Sequence, residues 1–211
     1  MVEWSIAACR AAGSVGAIVV AAPPGHEQQL GRGGTGTVEG VGLDVIEGGA
    51  TRAQSVSNAL RAVETELVAV HDAARPLLTP ELLDDVVATL AANPDADGAI
   101  AAAPVTDTTK QVEGRVGSLP TDTGDNRPLV VAGTLDRGRL WAAQTPQVFR
   151  AAALRAAFLA DPERAAAATD DAALVEQAGG RVLIHPSSPD NLKVTTPTDL
   201  RLAELLLAER P

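Results

Sequence analysis

The sequence is poor in cysteine and in aromatic residues. Cys9 is the only cysteine, which excludes a disulfide framework or a cysteine metal site within one chain. Aromatic residues make up 2% of the chain, against 45% hydrophobic residues in total, so the core has to be built from Ala, Val, Leu and Ile. These small and branched side chains suit helices packed on a sheet. No apolar run reaches the roughly 18 residues that a membrane-spanning helix needs.

Positive charge is also scarce. The 17 Lys and Arg residues are outnumbered by 27 Asp and Glu, which gives a formal net charge of −10. This balance argues against a nucleic-acid partner, because such binding depends on cations that neutralise phosphates. A small anionic substrate needs a local positive pocket set against this field. The chain opens without a signal-peptide pattern, so we expect a cytoplasmic enzyme or binding protein of one domain, 1–211, with no membrane partner.

A short apolar run at residues 67–70 stops at His71 and Asp72. Four residues without a polar break predict a buried strand of a parallel sheet. Asp72 then falls at the carboxyl end of that strand, where open α/β sheets bind ligands, and it is the first candidate site residue. The alternative is that Asp72 and Arg75 form a local ion pair that ties down a loop.

Strands and helices alternate along the first half of the chain. After a first helix at 2–12, the apolar pattern predicts strands at 16–21, 43–47, 67–70 and 98–105, and helices at 52–63 and 80–92. This alternation is typical of a doubly wound α/β sheet.

The pattern changes after residue 105. Two short predicted strands, 110–116 and 128–135, indicate a β-arm over 107–140 that leaves the sheet and can pack on a partner subunit. Further elements are predicted beyond the arm: helices at 149–159, at 169–178 with Thr169 as its cap, and after Pro197, and strands at 181–185 and around 193. Asp170 and Asp171 are explained as acids in the positive first turn of a helix.

Two glycine-rich stretches are candidates for ligand loops. The stretch at 31–37 lacks the GK[ST] ending of a phosphate loop, and we interpret it as a surface loop. Gly49 lies between a strand and a helix, so free backbone N–H groups and the helix N-terminus can face a ligand. Arg52 and Ser55 lie one turn apart on that helix. The alternative is an ordinary turn capped by Thr51.

Six segments, taken together and in order, resemble the 2-C-methyl-D-erythritol 4-phosphate cytidylyltransferase family. They are GGATRAQS at 48–55, HDAARP at 71–76, APVTDTTK at 103–110, LDR at 135–137, AQTPQ at 143–147 and DNLKVT at 190–195. Each motif alone is weak, but their shared order is specific, and the resemblance runs from about residue 4 to residue 207. It implies a Rossmann-like, mostly parallel sheet of the nucleotidyltransferase type and a homodimer formed through the β-arm.

The resemblance implies transfer of CMP from CTP to methylerythritol phosphate, with release of pyrophosphate. In-line attack on phosphorus requires acids that hold Mg²⁺ and cations that balance the developing negative charge. On this basis Asp72 and Asp190 would sit at Mg²⁺ and the triphosphate, and Lys193 would contact phosphate. We expect these three side chains to converge on one cleft. Lys110, the other of the two lysines, is left on the surface of the arm.

The resemblance also implies the contacts to the nucleotide base. Gly49 and Ser55 would read cytosine, with Arg52 nearby, and Arg75 belongs to the same substrate-binding set.

Contacts to the second substrate are implied as well. Thr108 and the catalytic Arg137 would hold methylerythritol phosphate in the neighbouring subunit, and Thr145 would face substrate within its own subunit. Pro146 makes the Thr145 segment extended, so that the hydroxyl is presented rigidly.

The sequence departs from the family pattern at its start. The family opens with a strand and an Ala-Ala-Gly-type loop whose Arg and Lys clamp the triphosphate, and no segment here corresponds to them. We therefore expect a truncated enzyme that is weakly active or inactive and poorly soluble. Two alternatives stay open: a ribitol 5-phosphate cytidylyltransferase, and a non-catalytic paralogue that senses nucleotide or forms dimers.

Overall fold

The protein is described by a computed structural model over residues 1–27, 41–113, 128–160, 165, 168 and 170–210. The helices are α1 (Val2–Ala11), α2 (Arg52–Leu60), α3 (Pro80–Ala91), α4 (Ala151–Ala160), α5 (Asp171–Gln177) and α6 (Pro197–Ala208). The strands are β1 (Ala17–Ala22), β2 (Gly42–Glu47), β3 (Leu67–Val70), β4 (Gly98–Pro104), β5 (Lys110–Val112), β6 (Val131–Thr134), β7 (Trp141–Arg150) and β8 (Val182–Pro186). The predicted glycine-rich loop at 31–37 and Thr169 lie outside the described residues.

The described strands form three sheets. β1 and β2 pair in parallel, four strands follow the order β3-β7-β4-β8, and β5 pairs with β6 antiparallel. Within the four-stranded sheet, β4 and β8 are parallel whereas β3 and β7 are antiparallel. The α/β class is therefore as predicted, with mixed strand directions.

The core is centred on β4, whose first six residues are all buried. These residues are glycine, isoleucine and alanines, and the helices pack closely on them because the side chains are small. Phe149 of β7 is fully buried in one apolar cluster together with Leu154 of α4 and Ile100 of β4. Val86 and Leu90 of α3 form a second cluster with alanines of β4 and with Val148.

β3 differs from its prediction in two respects. Its observed partner is the antiparallel strand β7, with Val70 opposite Gln147, and its residues are partly buried or exposed rather than fully buried. An apolar run of four residues gives the extended conformation but carries no information on the direction of the partner strand. The prediction that Asp72 follows the strand is confirmed.

One predicted boundary and one predicted strand in the last third of the chain were wrong. Phe149 does not begin a helix, because it pairs with Val68 as part of β7, and α4 begins at Ala151. The strand expected around Lys193 is absent from the described residues. That segment is joined to the chain after β3 by one backbone hydrogen bond, from Val194 N to Ala74 O at 2.8 Å.

Helix starts follow their sequence signals closely. The Thr51, Thr79 and Thr196 side chains each accept a hydrogen bond from a backbone N–H in the first turn of α2, α3 and α6. Thr196 and Asp199 form a capping box. For α5 the predicted cap, Thr169, was wrong: the cap is Asp170, whose side chain accepts from Ala173 N. The start of α2, next to the candidate site, is thus fixed by local chemistry.

The chain divides into two compact units, Met1–Ala102 with Ala143–Pro211 and, separately, Ala103–Ala142. The second unit contains β5, β6 and the range predicted as an arm, so the organisation as one domain with an excursion stays a prediction. In the part of the chain that the structure covers, no helix combines the length and the apolar character required to cross a membrane.

Gly98 provides a test of the packing around β4. A Cβ atom added there would lie 2.6 Å from Phe149 Cδ1, in a core that has no room to give. We expect Gly98→Ala to lower the free energy of unfolding by about 1–3 kcal/mol. Gly16→Ala is the matched control, since nothing lies within 4 Å of its added Cβ. Urea unfolding of both variants measures the difference, and equal stability of the two would contradict this account of the core.

Candidate active site

A cleft of the first unit gathers charged side chains from four separate segments. These are the start of α2, the chain just after β3, the cap of α5 and the region before α6, and β7 adds uncharged residues. Its lining residues are Arg52, Asp72, Arg75, Ala143, Gln144, Thr145, Gln147, Asp170 and Lys193. The carboxyl end of β3 therefore lies at the cleft, as expected for α/β proteins.

Asp72 is the central charge of this cleft. Its Oδ1 atom accepts a hydrogen bond from Arg52 Nε at 2.9 Å, and its Oδ2 atom lies 2.8 Å from Lys193 Nζ. Burial favours the neutral acid, but the hydrogen bond from Lys193 and the charge of Arg52 outweigh it and hold the pKa of Asp72 below its ordinary value. Asp72 is therefore ionised and joins two cations.

Arg52 links Asp72 to a second, deeper acid. Its Nη2 atom donates to Asp171 Oδ2 at 2.8 Å, and the Asp171 side chain is only 1% exposed. Burial raises the pKa of Asp171, and the attraction of Arg52 offsets this in part. Burial likewise disfavours the charged form of Arg52, but its two carboxylate partners prevail and raise its pKa. Arg52 is thus held in place before any ligand arrives.

Arg75 is anchored through backbone carbonyls. Its Nη1 atom donates to Asn191 O at 2.6 Å and its Nη2 atom to Ala143 O at 3.3 Å. Burial lowers the pKa of Arg75, and the charge of Asp72 opposes that effect. The local salt bridge between Asp72 and Arg75 that the sequence left open is not formed, since Asp72 pairs with Arg52 and Lys193 instead.

Asn191 holds the segment before α6 against β7. Its Nδ2 atom donates to Thr145 O at 2.9 Å and to Gln144 Oε1 at 3.1 Å, and Gln144 Nε2 donates back to Ser188 O at 3.1 Å. Because Asn191 is buried, this exchange of hydrogen bonds sets the position from which Lys193 reaches Asp72.

His71 and Thr145 form a second polar group beside Asp72. Thr145 Oγ1 accepts a hydrogen bond from Asp72 N at 3.1 Å and lies 3.0 Å from His71 Nδ1. The other ring nitrogen, Nε2, lies 3.1 Å from the Arg75 carbonyl oxygen. Burial lowers the pKa of His71 to about 4, so the ring is neutral near pH 7.

In the turn before α2, the backbone N–H groups bind side chains of α2 itself. Gly49 N donates to Ser55 Oγ at 3.0 Å, and Ala50 N donates to Gln54 Oε1 at 2.9 Å. These backbone N–H groups are therefore used within the protein, and the turn is the ordinary one capped by Thr51. A Cβ atom on Gly49 would lie 2.2 Å from Gln54 Cβ, so glycine is required here by close packing.

Asp190 is placed differently from Asp72. Its Oδ2 atom accepts from Ser188 Oγ at 2.9 Å, and the residue is exposed and outside the cleft lining. The structure thus brings Asp72 and Lys193 into contact but does not bring the Asp190 carboxylate to them. Among the described residues no group of three or more His, Cys, Asp or Glu side chains is arranged to hold a metal ion.

Thr108 and Arg137 belong to the second unit, and both are exposed there. Arg137 Nη1 donates to Thr106 O at 2.8 Å, within the same unit. Lys110 Nζ donates to Thr134 Oγ1 at 2.7 Å and so connects β5 to β6, which agrees with its placement on the arm.

Sequence reasoning missed several residues of the cleft. Asp170 and Asp171 were explained as helix-start acids, yet Asp170 lines the cleft and Asp171 binds Arg52. Gln147 fixes this corner, because its amide donates to Asp170 Oδ2 and accepts from Ala172 N. Two adjacent acids at a helix start look the same in sequence whether one of them is buried or not. The position of His71, directly before Asp72, was the one sequence signal that pointed to a further residue of the site.

Comparison with known proteins places these features in a family. A family model described as IspD, 2-C-methyl-D-erythritol 4-phosphate cytidylyltransferase, matches residues 1–209. The bifunctional enzyme IspD/IspF of Anaeromyxobacter sp. (strain Fw109-5) is 46% identical over 206 residues, which are 96% of this chain and 48% of that protein. The 2-C-methyl-D-erythritol 4-phosphate cytidylyltransferase of Bordetella petrii is 39% identical, over 97% of this chain and 84% of that protein. The chain spans about half the length of the first curated relatives it matches.

Solved structures show the same likeness. The crystal structure of the 2-C-methyl-D-erythritol 4-phosphate cytidylyltransferase from Thermus thermophilus superposes with a TM-score of 0.73 at 32% identity, and covers 98% of this chain and 88% of that one. The corresponding enzyme of Francisella tularensis gives 0.75 at 27% identity, over 97% of this chain and 86% of that one. The predicted nucleotidyltransferase-type α/β fold is thereby confirmed.

Removing the Arg52 guanidinium should cost much stability. We expect Arg52→Ala to lower the free energy of unfolding by about 3–5 kcal/mol, because Asp171 would keep a buried charge without its cation. The control is Arg181→Ala, which breaks an exposed ion pair with Asp95 and should cost no more than about 1 kcal/mol. Urea unfolding measures both variants. Similar losses would show that the buried pair is not special.

His71 should make stability depend on pH. Its pKa in the folded protein, about 4, lies below its ordinary value of 6.5, so the unfolded chain binds the proton more readily. The contribution is fully present above pH 6.5, is lost as the pH falls towards 4, and amounts to at most about 3 kcal/mol. Urea unfolding across this range, in metal-free buffer, should show the stability gap between parent and His71→Gln narrowing as the pH falls. A constant gap would disprove the effect, and exposed His26→Gln should track the parent.

Proposed function

Since the chain belongs to the 2-C-methyl-D-erythritol 4-phosphate cytidylyltransferase family, we propose that it transfers CMP from CTP to 2-C-methyl-D-erythritol 4-phosphate and releases pyrophosphate, as a cytoplasmic enzyme. The family resemblance that the sequence suggested is confirmed by these relatives. Membership of the family is shown, whereas the catalytic activity of the whole protein is what we propose.

The observation that supports this activity most strongly is the concentration of cations in one cleft. Arg52, Arg75 and Lys193 line it together with two acids, in a chain whose formal net charge is −10. An acidic protein gathers cations in this way to attract a small polyanion to one place. A nucleoside triphosphate and a sugar phosphate are both anions of this kind.

Each cation has a definite part in the proposed reaction. Lys193 is 43% exposed and, among the described residues, is held only by Asp72, so its ammonium can turn to a phosphate of CTP. Arg52 and Arg75 are fixed by Asp171 and by backbone carbonyls, and their guanidinium groups present charge without reorganisation. Preorganised positive charge of this sort stabilises the negative charge that develops on a transferring phosphoryl group.

Divalent metal fits this cleft only when it is shared with substrate. Mg²⁺ is commonly held by one or two carboxylates together with phosphate oxygens. Asp72 is the acid of the proposed pair that lies at the cleft, and each of its oxygens keeps a further lone pair beyond its present contact. We propose Asp72 as the protein ligand and Asp190, which lies outside the cleft lining, as a second acid. When bound, the metal would neutralise part of the triphosphate charge.

The remaining contacts extend the proposal to the base and to the acceptor. Gly49 and Ser55 would lie at cytosine, and Thr145 would lie at substrate within its own subunit. Thr108 and Arg137 would hold the polyol phosphate of a neighbouring subunit, in a homodimer formed through the arm. Support for the last pair comes from their exposure on the second unit.

The two lysines provide a matched test of this function. We expect Lys193→Gln to lower the rate of pyrophosphate release by roughly 10²–10³-fold, because one preorganised cation is lost from the transition state. Lys110→Gln, which loses the contact to Thr134 on the second unit, should release pyrophosphate at the parent rate. The assay supplies CTP, 2-C-methyl-D-erythritol 4-phosphate and Mg²⁺, and calorimetry measures CTP binding for each variant.

Three results would argue against the proposal. Equal rates for the two lysine variants would remove Lys193 from the reaction. Faster release with ribitol 5-phosphate than with methylerythritol phosphate would favour that sibling activity. Binding of CTP with no release on either acceptor would favour a nucleotide-sensing protein.

A further inference from the structure

The Thr145 hydroxyl occupies an unusual position, since it lines the cleft but is only 4% exposed. A hydroxyl group has one proton to donate and two lone pairs that accept. One lone pair of Thr145 Oγ1 is used by the Asp72 backbone N–H, at 3.1 Å. The direction of the remaining contact, to His71 Nδ1 at 3.0 Å, decides what the hydroxyl can still offer to a substrate.

The His71 ring settles that direction through its other nitrogen. The Arg75 carbonyl oxygen, 3.1 Å from Nε2, can only accept, so Nε2 has to carry a proton. In a neutral imidazole the second nitrogen is then an acceptor. His71 Nδ1 therefore accepts from the Thr145 hydroxyl. The contacts form one directed chain, in which Asp72 N–H donates to Thr145, Thr145 donates to His71, and His71 donates to the Arg75 carbonyl.

We propose that His71 is a positioning residue that acts through Thr145 to fix the backbone of Asp72, and that the Thr145 hydroxyl proton is consequently not available to substrate. This proposal rests on the proposed function of the cleft and refines the role of Thr145 there. The substrate phosphate only accepts hydrogen bonds, so it receives none from Thr145, and its donors are Arg52, Arg75 and Lys193.

This series of hydrogen bonds also explains why a histidine directly precedes Asp72. Residues 71 to 75 form a tight turn in which Arg75 N donates to Asp72 O at 2.9 Å. The His71 ring spans this turn from within, between Arg75 O and Thr145 of β7. Both charged side chains of the turn, Asp72 and Arg75, are thus positioned by one neutral ring. Loss of either ring contact would let the carboxylate shift against Arg52 and Lys193.

Nitrogen-15 NMR of the unmodified protein tests this series of hydrogen bonds without any assay of activity. Correlations between the ring nitrogens and ring protons at mildly alkaline pH should show that His71 is protonated on Nε2 and unprotonated on Nδ1. The Asp72 amide should exchange slowly with solvent, and Thr145→Val should speed its exchange, whereas Thr145→Ser, which keeps the hydroxyl, should retain most of the protection. A ring protonated on Nδ1 would overturn the proposal, as would unchanged Asp72 exchange in a folded Thr145→Val.

Kinetics then test the link to catalysis. We expect His71→Phe and Thr145→Val each to lower kcat roughly 10- to 100-fold with KM for CTP little changed, because a misplaced carboxylate weakens the transition state. The kcat of the double variant should fall no further than that of the more impaired single variant, because both substitutions interrupt the same series of hydrogen bonds. His185→Phe, which removes the contact between the His185 ring on β8 and Thr89 on α3, is the matched control and should keep the parent kcat.

The NMR and the kinetic experiments can fail independently of each other. Losses that multiply in the double variant, or a parent kcat in folded Thr145→Val, would refute the positioning role. A parent chain that transfers no CMP would refute the proposed function instead, and the ring tautomer and amide exchange would still decide this proposal. Urea unfolding of every variant separates a lost fold from a lost contact.

Discussion

The site depends on one carboxylate that is shared between two cations. Asp72 lies between Arg52 and Lys193, and Arg52 extends the alternation to the buried Asp171. Because opposite charges follow one another, four segments far apart in sequence are held together at one edge of the sheet. Each charge is stabilised mainly by its neighbours in this sequence of ions, and removing an inner member leaves a desolvated charge behind. The fold brings these segments close, but the ion pairs set where the side chains stand.

The position of Asp72 could be predicted because it depends on local pattern. An apolar run gives a strand, and the residues after a strand lie at the carboxyl edge of the sheet, so Asp72 was found from sequence alone. The partner of β3 could not be found in this way, since strand direction depends on chain topology. The same limit applies to Lys193, whose contact with Asp72 spans more than a hundred residues, and it was reached only through the family resemblance.

Other residues were misjudged because a simple local explanation was sufficient for them. Asp171 suits the first turn of α5 in any case, and nothing in sequence shows that its side chain is buried against Arg52. Gly49 suggested a loop with free N–H groups, yet close packing on Gln54 explains the glycine and the nearby side chains use those groups. Local chemistry thus predicted the helix caps well, whereas partners distant in sequence decided the composition of the cleft.

The two ends of these alternating charges differ in their access to water. Asp171 at the inner end is 1% exposed and Lys193 at the outer end is 43% exposed, while Arg52 and Asp72 between them are 32% and 15% exposed. Dissolved ions shield exposed pairs far more than enclosed ones. Rising ionic strength should therefore weaken the contact of the Lys193 ammonium first, while the Arg52 guanidinium stays in place. A charged ligand would then meet one adjustable cation, Lys193, and one fixed cation, Arg52.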